Sequence, residues 1–285
     1  MISQVIVFFE HGRLGNQLFQ YAALKELYPN QRLVFFGFEA LKQALEHVDA
    51  IIIEKTKLPG WLRFALKKFL LVLAKLRIIG TIQEIRKNST SYVKKTKGAI
   101  SIYYLKTSYF QHQTMLDKIN PHLNLTHHKS HKALEWIKQN ISQSSKQNLV
   151  FIHIRRGDYL TWPSREHPAV LDKQWYIRAM DQMRTKVRNP FFLLLSDDPY
   201  YAKDCFGDQP NMVISENDQM IDLALMSHCQ HGILSASSYA WWGACFSKTR
   251  RHEGGIYLAP KYWGGHRKAA WVPEDFITNW LTYIE

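Results

Sequence analysis

Cysteine is scarce, and no spacing organises the three residues present. Cys205, Cys229 and Cys245 form no Cys-x-x-Cys and have no histidine beside them at zinc-ligand spacing. A sparse, odd set excludes a disulfide scaffold and fits a reducing compartment, so a cytoplasmic location is expected. No signal peptide is read at the start, where Met1 leads through Ile2-Ser3-Gln4 into a short apolar run. Long uncharged apolar runs are also missing. The most apolar stretch, 61–79, carries Arg63, Lys67, Lys68, Lys75 and Arg77, which argues against a membrane span. There is no Asp-x-Asp triplet, no P-loop, no G-x-G-x-x-G fingerprint and no repeat at solenoid periods. Acids are in short supply as well: 24 Asp and Glu face 37 Lys and Arg, a formal charge of +13 over 285 residues. Such a balance suits an anionic partner, whether nucleic acid, acidic lipid or a phosphorylated small molecule.

Hydrophobic residues make up 46% of the chain, enough for a sizeable core. Val5 to Phe9 reads as a buried strand, followed by a glycine turn and a helical pattern over 17–27. Further strands are expected at 33–36 and 50–53. The stretch 61–79 has the pattern of a basic amphipathic helix, with its cations on about half the circumference. It suits packing on a core, and it also suits lying on an anionic membrane surface. Residues 80–148 are less regular. Thr126-His127-His128-Lys129-Ser130-His131 reads as a loop or helix start rather than a metal site, and 140–147 as a linker. The second half alternates cleanly. Strands are expected at 149–154, 191–195, 212–214, 232–234 and 255–258, with helices at 172–187, 219–229 and 239–246. Such alternation predicts an α/β fold with parallel sheets covered on both faces. Two Rossmann-like lobes, 1–140 and 141–285, are expected to face a central cleft, with ligands beyond the carboxyl ends of the strands.

Four clusters fall at such ends. His153-Ile154-Arg155-Arg156-Gly157-Asp158 leaves a strand, where alternation puts His153 and Arg155 on one face. A guanidinium there is a fork for phosphate oxygens, and Asp158 can hold an arginine in position. The same residues also read as a salt-bridge latch. Gly12-Arg13-Leu14-Gly15-Asn16-Gln17 joins a strand to a helix N-terminus, where free amides favour an anion or simply cap the helix. Ser235 to Ser238 precede another helix and can cap it or donate to a phosphate. Asp222 opens the preceding helix; it can accept from a guanine N1–H and amino group, or serve as a first-turn acid. Asp197-Asp198 could hold Mg²⁺, but without an Asp-x-Asp triplet, and with basic residues in excess, no metal or other cofactor is expected.

Together, GRLGNQLFQYA at 12–22, HIRRGDY at 153–159, SDDP at 196–199 and the run from Asp222 to Ala244 resemble the α-1,2-fucosyltransferases, family 11 of the glycosyltransferases. The resemblance covers both lobes and is least informative over 40–105. It implies a GT-B architecture, an inverting mechanism, GDP-fucose as donor and a galactose-terminated glycan as acceptor. It further implies that Arg155 binds the diphosphate, that His153 lies near guanine or phosphate, and that Arg156 and Asp158 support that geometry. Asp222 would contact guanine, and Ser237 or Ser238 the phosphate. Gly15 and Asn16 would sit where donor sugar and acceptor meet, making Arg155, Asp158 and Asn16 the expected catalytic set. Asp158, Glu10, His11 and Glu166 are the choices for a general base. The opening departs from the family's Gly-Gly-Leu-Gly-Asn by Arg13, after an unusual Glu10-His11, which bears on acceptor choice. Competing readings are another GDP-fucose transferase (α-1,6 or O-fucosyl) and a non-catalytic glycan-binding protein. A nucleic-acid partner is not expected, because no RNP-type pattern, helix-turn-helix or clustered basic stripe is read.

Overall fold

The computed structural model describes residues 4–87, 90–116, 118, 123–142, 148–207, 209–251, 254–264 and 277–285. The chain divides into two compact units, Met1–Thr126 and His127–Glu285. In the first, β1 (Val5–Phe9), α1 (Leu14–Leu27), β2 (Arg32–Phe36), α2 (Glu39–Ala44) and β3 (Ile51–Ile53) are followed by α3 (Gly60–Lys75), the hairpin β4 (Gly80–Lys87) and β5 (Thr90–Thr96), β6 (Ile102–Leu105) and α4 (Gln113–Leu116). The sheet order is β3-β2-β1-β6-β4-β5, parallel except for the β4–β5 pair. Residue alternation sorts the two faces. Val7, Phe36 and Tyr104 meet Leu66, Leu70, Leu73 and Ala74 of α3. On the opposite face Phe35 takes Tyr21 of α1 edge-on at 6.3 Å and stacks on Phe38 at 4.5 Å.

The second unit runs α5 (His127–Asn140), β7 (Leu149–Ile154), α6 (Lys173–Lys186), β8 (Phe191–Ser196), α7 (Pro199–Phe206), β9 (Met212–Ile214), α8 (Gln219–His228), β10 (His231–Ile233), α9 (Ser238–Arg251), β11 (Tyr257–Pro260) and β12 (Thr282–Ile284). Its strands are all parallel, in the order β9-β8-β7-β10-β11-β12. β7, buried at every position, is the central strand, as its unbroken apolar run requires. Its Val150, Ile152 and Ile154 pack on Trp175, Tyr176, Ala179, Met180 and Met183 of α6. Asp172, Asp198 and Asp218 cap α6, α7 and α8 by accepting from the first-turn amides.

The structure moves the expected boundary from 140/141 to 126/127. α5 belongs to the second unit because it docks on α8: Ser130 Oγ lies 3.0 Å from His228 Nε2, and Lys129 pairs with Asp218 at 3.3 Å. The histidine cluster of 126–131 opens this helix. The stretch read as irregular contains the β4–β5 hairpin, whose outer strand carries Lys94 and Lys95 on the sheet edge, where charge discourages further pairing. Of the linker expected at 140–147, residues 143–147 lie outside those described.

Candidate functional site

In the second unit the strand order reverses direction between β7 and β10, which makes the space beyond those two strands the topological switch point. The residues that leave β7 and its neighbours there come together. β7 and β8 pair in register, Ile154 against Ser196, so Arg155-Arg156 and Asp197-Asp198 emerge side by side. Arg155 is held at both ends of its fork, Nη1 to Asp197 at 2.7 Å and Nη2 to Asp158 at 2.5 Å. Arg156 donates from its amide to Asp197 at 2.8 Å and from Nε to Asp198 at 3.1 Å, with its guanidinium 3.5 Å above the Tyr201 ring. The close approach of Asp197 requires glycine at 157, where a Cβ would stand 2.6 Å from its carboxylate. The two acids considered for Mg²⁺ are thus engaged by the two arginines. Among the described residues no group of three or more His, Cys, Asp or Glu is arranged to hold a metal ion.

On the other side of the switch point, β10 leads into Ser235-Ala236-Ser237. His153, the last-but-one residue of β7, is buried and meets Ser235 Oγ at 2.7 Å. Burial, and then the charge of Arg155, push its pKa down to about 3, so the imidazole is neutral. Tyr159 donates to the Ala236 carbonyl at 2.6 Å and ties the arginine turn to the serine loop. Ser237 is buried, its carbonyl accepts from Trp241, and Ser238 is the first residue of α9, a helix N-terminus with amides directed at this space.

The ring of Tyr239 lies 5.4 Å from His153, and its hydroxyl donates to the Gln219 carbonyl at the start of α8. One turn on, Asp222 is buried and accepts from Ser215 Oγ at 2.6 Å. Burial pushes its pKa up to about 7, helped by Asp218 and opposed by the Ser215 hydrogen bond. The field of Asp222 in turn raises Tyr239, after burial. His153, Arg155, Arg156, Asp158, Asp222, Ser237 and Ser238 therefore all belong to the carboxyl ends of β7 to β10. The sequence reading missed Asp197 as the partner of Arg155, Ser235 as the partner of His153, and the contacts of Ser215 and Tyr239. The matched Arg-Arg and Asp-Asp pairs after successive strands were the available signal for the first of these.

The first unit has its own switch point, between β1 and β6. Gly12 takes a φ of +85° there, and the Asn16 side chain fills the place a Cβ would occupy. Asn16 Oδ1 accepts from Gln111 Nε2 at 2.7 Å. Gln20 Nε2 spans the two loops, donating to the His11 carbonyl at 3.0 Å and the Ser108 carbonyl at 3.1 Å, while its Oε1 is buried without a hydrogen-bond partner. Gln17 braces Gly12 and the Leu41 amide. The glutamines of the opening motif are therefore loop braces, with Gly15 buried in the first turn of α1 and Asn16 half-buried. Glu10 is committed to Lys55 and to the Phe38 amide. His11 faces Tyr109, ring to ring at 5.0 Å. Partial burial, then the charge of Lys67, lower its pKa. Glu166 is exposed.

Two units with Rossmann-like sheets, each with loops gathered at a switch point, define a GT-B-type α/β protein, the architecture of many nucleotide-sugar transferases. The chain matches the Glycosyl transferase family 11 profile over residues 4–285 and belongs to that family. The O-antigen biosynthesis glycosyltransferase WbnK of Escherichia coli is 29% identical over 203 residues, covering 65% of this chain and 64% of WbnK. An alpha-1,2-colitosyltransferase of E. coli is 26% identical over 275 residues, 88% of this chain and 90% of the relative. Galactoside alpha-(1,2)-fucosyltransferase 2 of Mus musculus is 24% identical, covering 82% and 65%. The chain thus spans just under two thirds of the length of WbnK and of the mouse protein. Among solved structures, the fucosyltransferase NodZ from Bradyrhizobium superposes with a TM-score of 0.54 at 11% identity, over 85% of this chain and 92% of that one. POFUT1 in complex with GDP gives 0.53 at 11%, over 90% and 98%. These two share the fold.

Proposed function

We propose that the protein transfers L-fucose from GDP-fucose to a galactose hydroxyl of a glycan acceptor, forming an α-1,2 linkage with inversion and without a metal ion. The observation that carries this reading is the fork of Arg155, fixed by Asp158 and Asp197 at the switch point of the second unit beside the N-terminus of α9. Family membership supports it, as do relatives named for α-1,2 transfer. In an inverting displacement the β-linked donor passes through an oxocarbenium-like state, and negative charge grows on the departing GDP. Arg155, the Ser237 and Ser238 hydroxyls and the first amides of α9 would take up that charge in a preorganised way. Asp222 would accept from the guanine N1–H and amino group, with His153 packed beside the nucleotide. Arg156 and Asp158 act as positioning residues, since their polar groups already hold the acid pair and Arg155.

Asn16 and the Gly15 amide are assigned to the sugar and acceptor. Of the four base choices, Glu10 and Asp158 are engaged by cations, whereas the surroundings of His11 favour its neutral, proton-accepting form. The breadth of the match to the colitosyltransferase supports a second donor reading, a GDP-3,6-dideoxyhexose. Both readings are tested by GDP release in EDTA, with lactose or N-acetyllactosamine as acceptor. Acceptor-stimulated release from GDP-fucose, with an α-1,2 product by linkage analysis, is the expected result. Preference for the 3-deoxy donor would replace fucose. An α-1,6 or protein-linked product would replace the linkage, and GDP-fucose binding without turnover would leave a glycan-binding protein. Failure to bind GDP-fucose and its 3-deoxy analogue would overturn both donor readings.

A further inference from the structure

The least explained surface of the molecule is α3 and the strands that follow it. Only one side of α3 packs on the sheet, through Leu66, Leu70, Leu73 and Ala74. The rest is apolar and bare: Trp61 is 72% exposed, Phe64 64%, Phe69 56%, Val72 52% and Leu76 65%. Of the large hydrophobic side chains exposed among the described residues, eight lie in 61–78 and five in the whole of the second unit. At about 100° per residue, Trp61, Leu62, Phe69, Val72 and Leu76 share an arc of about 100°. Lys68 and Lys75 border it, with Lys68 lying over the Phe64 ring. The charge around this arc has one sign. From 55 to 106 the sequence holds 13 Lys and Arg and one acid, Glu84, which is turned to the Tyr109 and Phe110 amides.

We propose that α3 docks the protein on a bilayer surface carrying anionic headgroups, lying in the plane with its apolar arc in the lipid and its lysines at the phosphates. A spanning role does not fit. Sixteen residues give about 24 Å of helix, against about 30 Å of hydrocarbon, and no helix among the described residues is long and apolar enough to cross a membrane. A second copy of the chain fits less well, because a two-fold contact over this arc would set one basic border against another, with a single acid, Glu84, between 55 and 106 on each side. An in-plane helix with an apolar face and a cationic border satisfies both features at once: the hydrocarbon takes Trp61, Phe69 and Val72, and the headgroups neutralise the lysines.

The test is co-sedimentation of the full chain with vesicles of phosphatidylcholine containing phosphatidylglycerol, compared with phosphatidylcholine alone. Binding to the anionic vesicles is expected, weakened by salt. Phe69→Glu with Val72→Glu, and separately Lys68→Glu with Lys75→Glu, should each lower partition about tenfold or more. Circular dichroism and the unfolding midpoint should be unchanged, because the altered side chains are exposed. Wild-type protein left in the supernatant, or charge variants that bind as well as wild type, would overturn the proposal. So would a dimer in sedimentation velocity that Phe69→Glu with Val72→Glu dissolves in the absence of vesicle binding. Salt-sensitive retention on a mixed-sequence duplex in place of vesicles would overturn it in favour of nucleic acid.

Discussion

The two units carry sheets of closely related strand order, but the first holds 18 Lys and Arg against 8 Asp and Glu, and the second 19 against 16. Ten of the thirteen net charges thus belong to the first unit. The difference follows how each unit uses its cations. In the second, Arg155 and Arg156 are largely covered and each meets a carboxylate at a strand end, because a guanidinium taken from water needs a partner. In the first, Lys94 on the edge strand and Lys68 and Lys75 on α3 are exposed, where water solvates them. Overall charge therefore says little about the proposed donor site, whose cations are balanced locally, and much about the surface around α3.

Four tests sharpen or break this contrast. The largest expected effect is Arg155→Ala, which removes the fork and leaves Asp158 and Asp197 facing each other; kcat should fall roughly 100-fold or more. Arg155→Lys should recover little of it, since a point charge cannot bridge both acids. Unchanged turnover would remove the second unit's cations from the chemistry. Next come two glycines that let a ring close over a neighbouring strand. A Cβ on Gly232 would stand 2.3 Å from the Phe151 ring, and one on Gly80 2.5 Å from Tyr103. Gly232→Ala and Gly80→Ala should each cost about 1–3 kcal/mol in urea unfolding. A cost confined to one of them would mean that the two sheets tolerate strain differently.

The third concerns Asp222. With its pKa pushed up to about 7, it keeps its proton below that pH and loses the charged two-oxygen acceptor proposed for the guanine N1–H and amino group. GDP affinity should therefore fall about tenfold per unit below neutrality, and Asp222→Asn should flatten the profile. Stability runs the other way for this group. Between 3.8 and about 7 the unfolded chain has released a proton that the folded state retains, so the stabilisation declines as pH rises through that window. His153 has the opposite sign. Its folded pKa is depressed from 6.5 to about 3, so stability is lost as pH falls through that interval. The smallest expected effect is Asn16→Ala, a loss of one hydrogen bond to Gln111. It should raise the acceptor KM by a factor of about 2 to 12 with GDP affinity unchanged; a drop in GDP affinity would break the assignment of donor work to the second unit.

Continuous apolar runs with clear caps were readable in advance. β7 and β9 have the expected limits, and Asp172 and Asp218 mark the starts of α6 and α8. β4 and β5 were not readable, because Thr, Gln, Arg and Lys alternate with few apolar residues, and it is the pairing of β4 with β6, and of β5 with β4, that makes them strands. α7 was missed because Pro199 reads as a breaker, although at the first helical position, with Asp198 as cap, it starts the helix. α5 could be suspected as a helix start, but its attachment to α8 rather than to the first unit lies in contacts such as Ser130 with His228. At the site the residue types and the local Arg155–Asp158 pair were legible, and the partners from other strands were not.

By itself the sequence determined what is local: the periods that separate strands from helices, the caps, the glycine turn before Asn16, the arginines at a strand exit, and a basic segment with almost no acid. Tertiary structure decided adjacency. Arg155 meets Asp197, and His153 meets Ser235, only because β7 lies between β8 and β10. That order is selected by burial over the whole sheet, a long-range quantity that no window of sequence contains. The same packing decided which side of α3 faces the core and left the other, with Trp61, Phe69 and Val72, in the open.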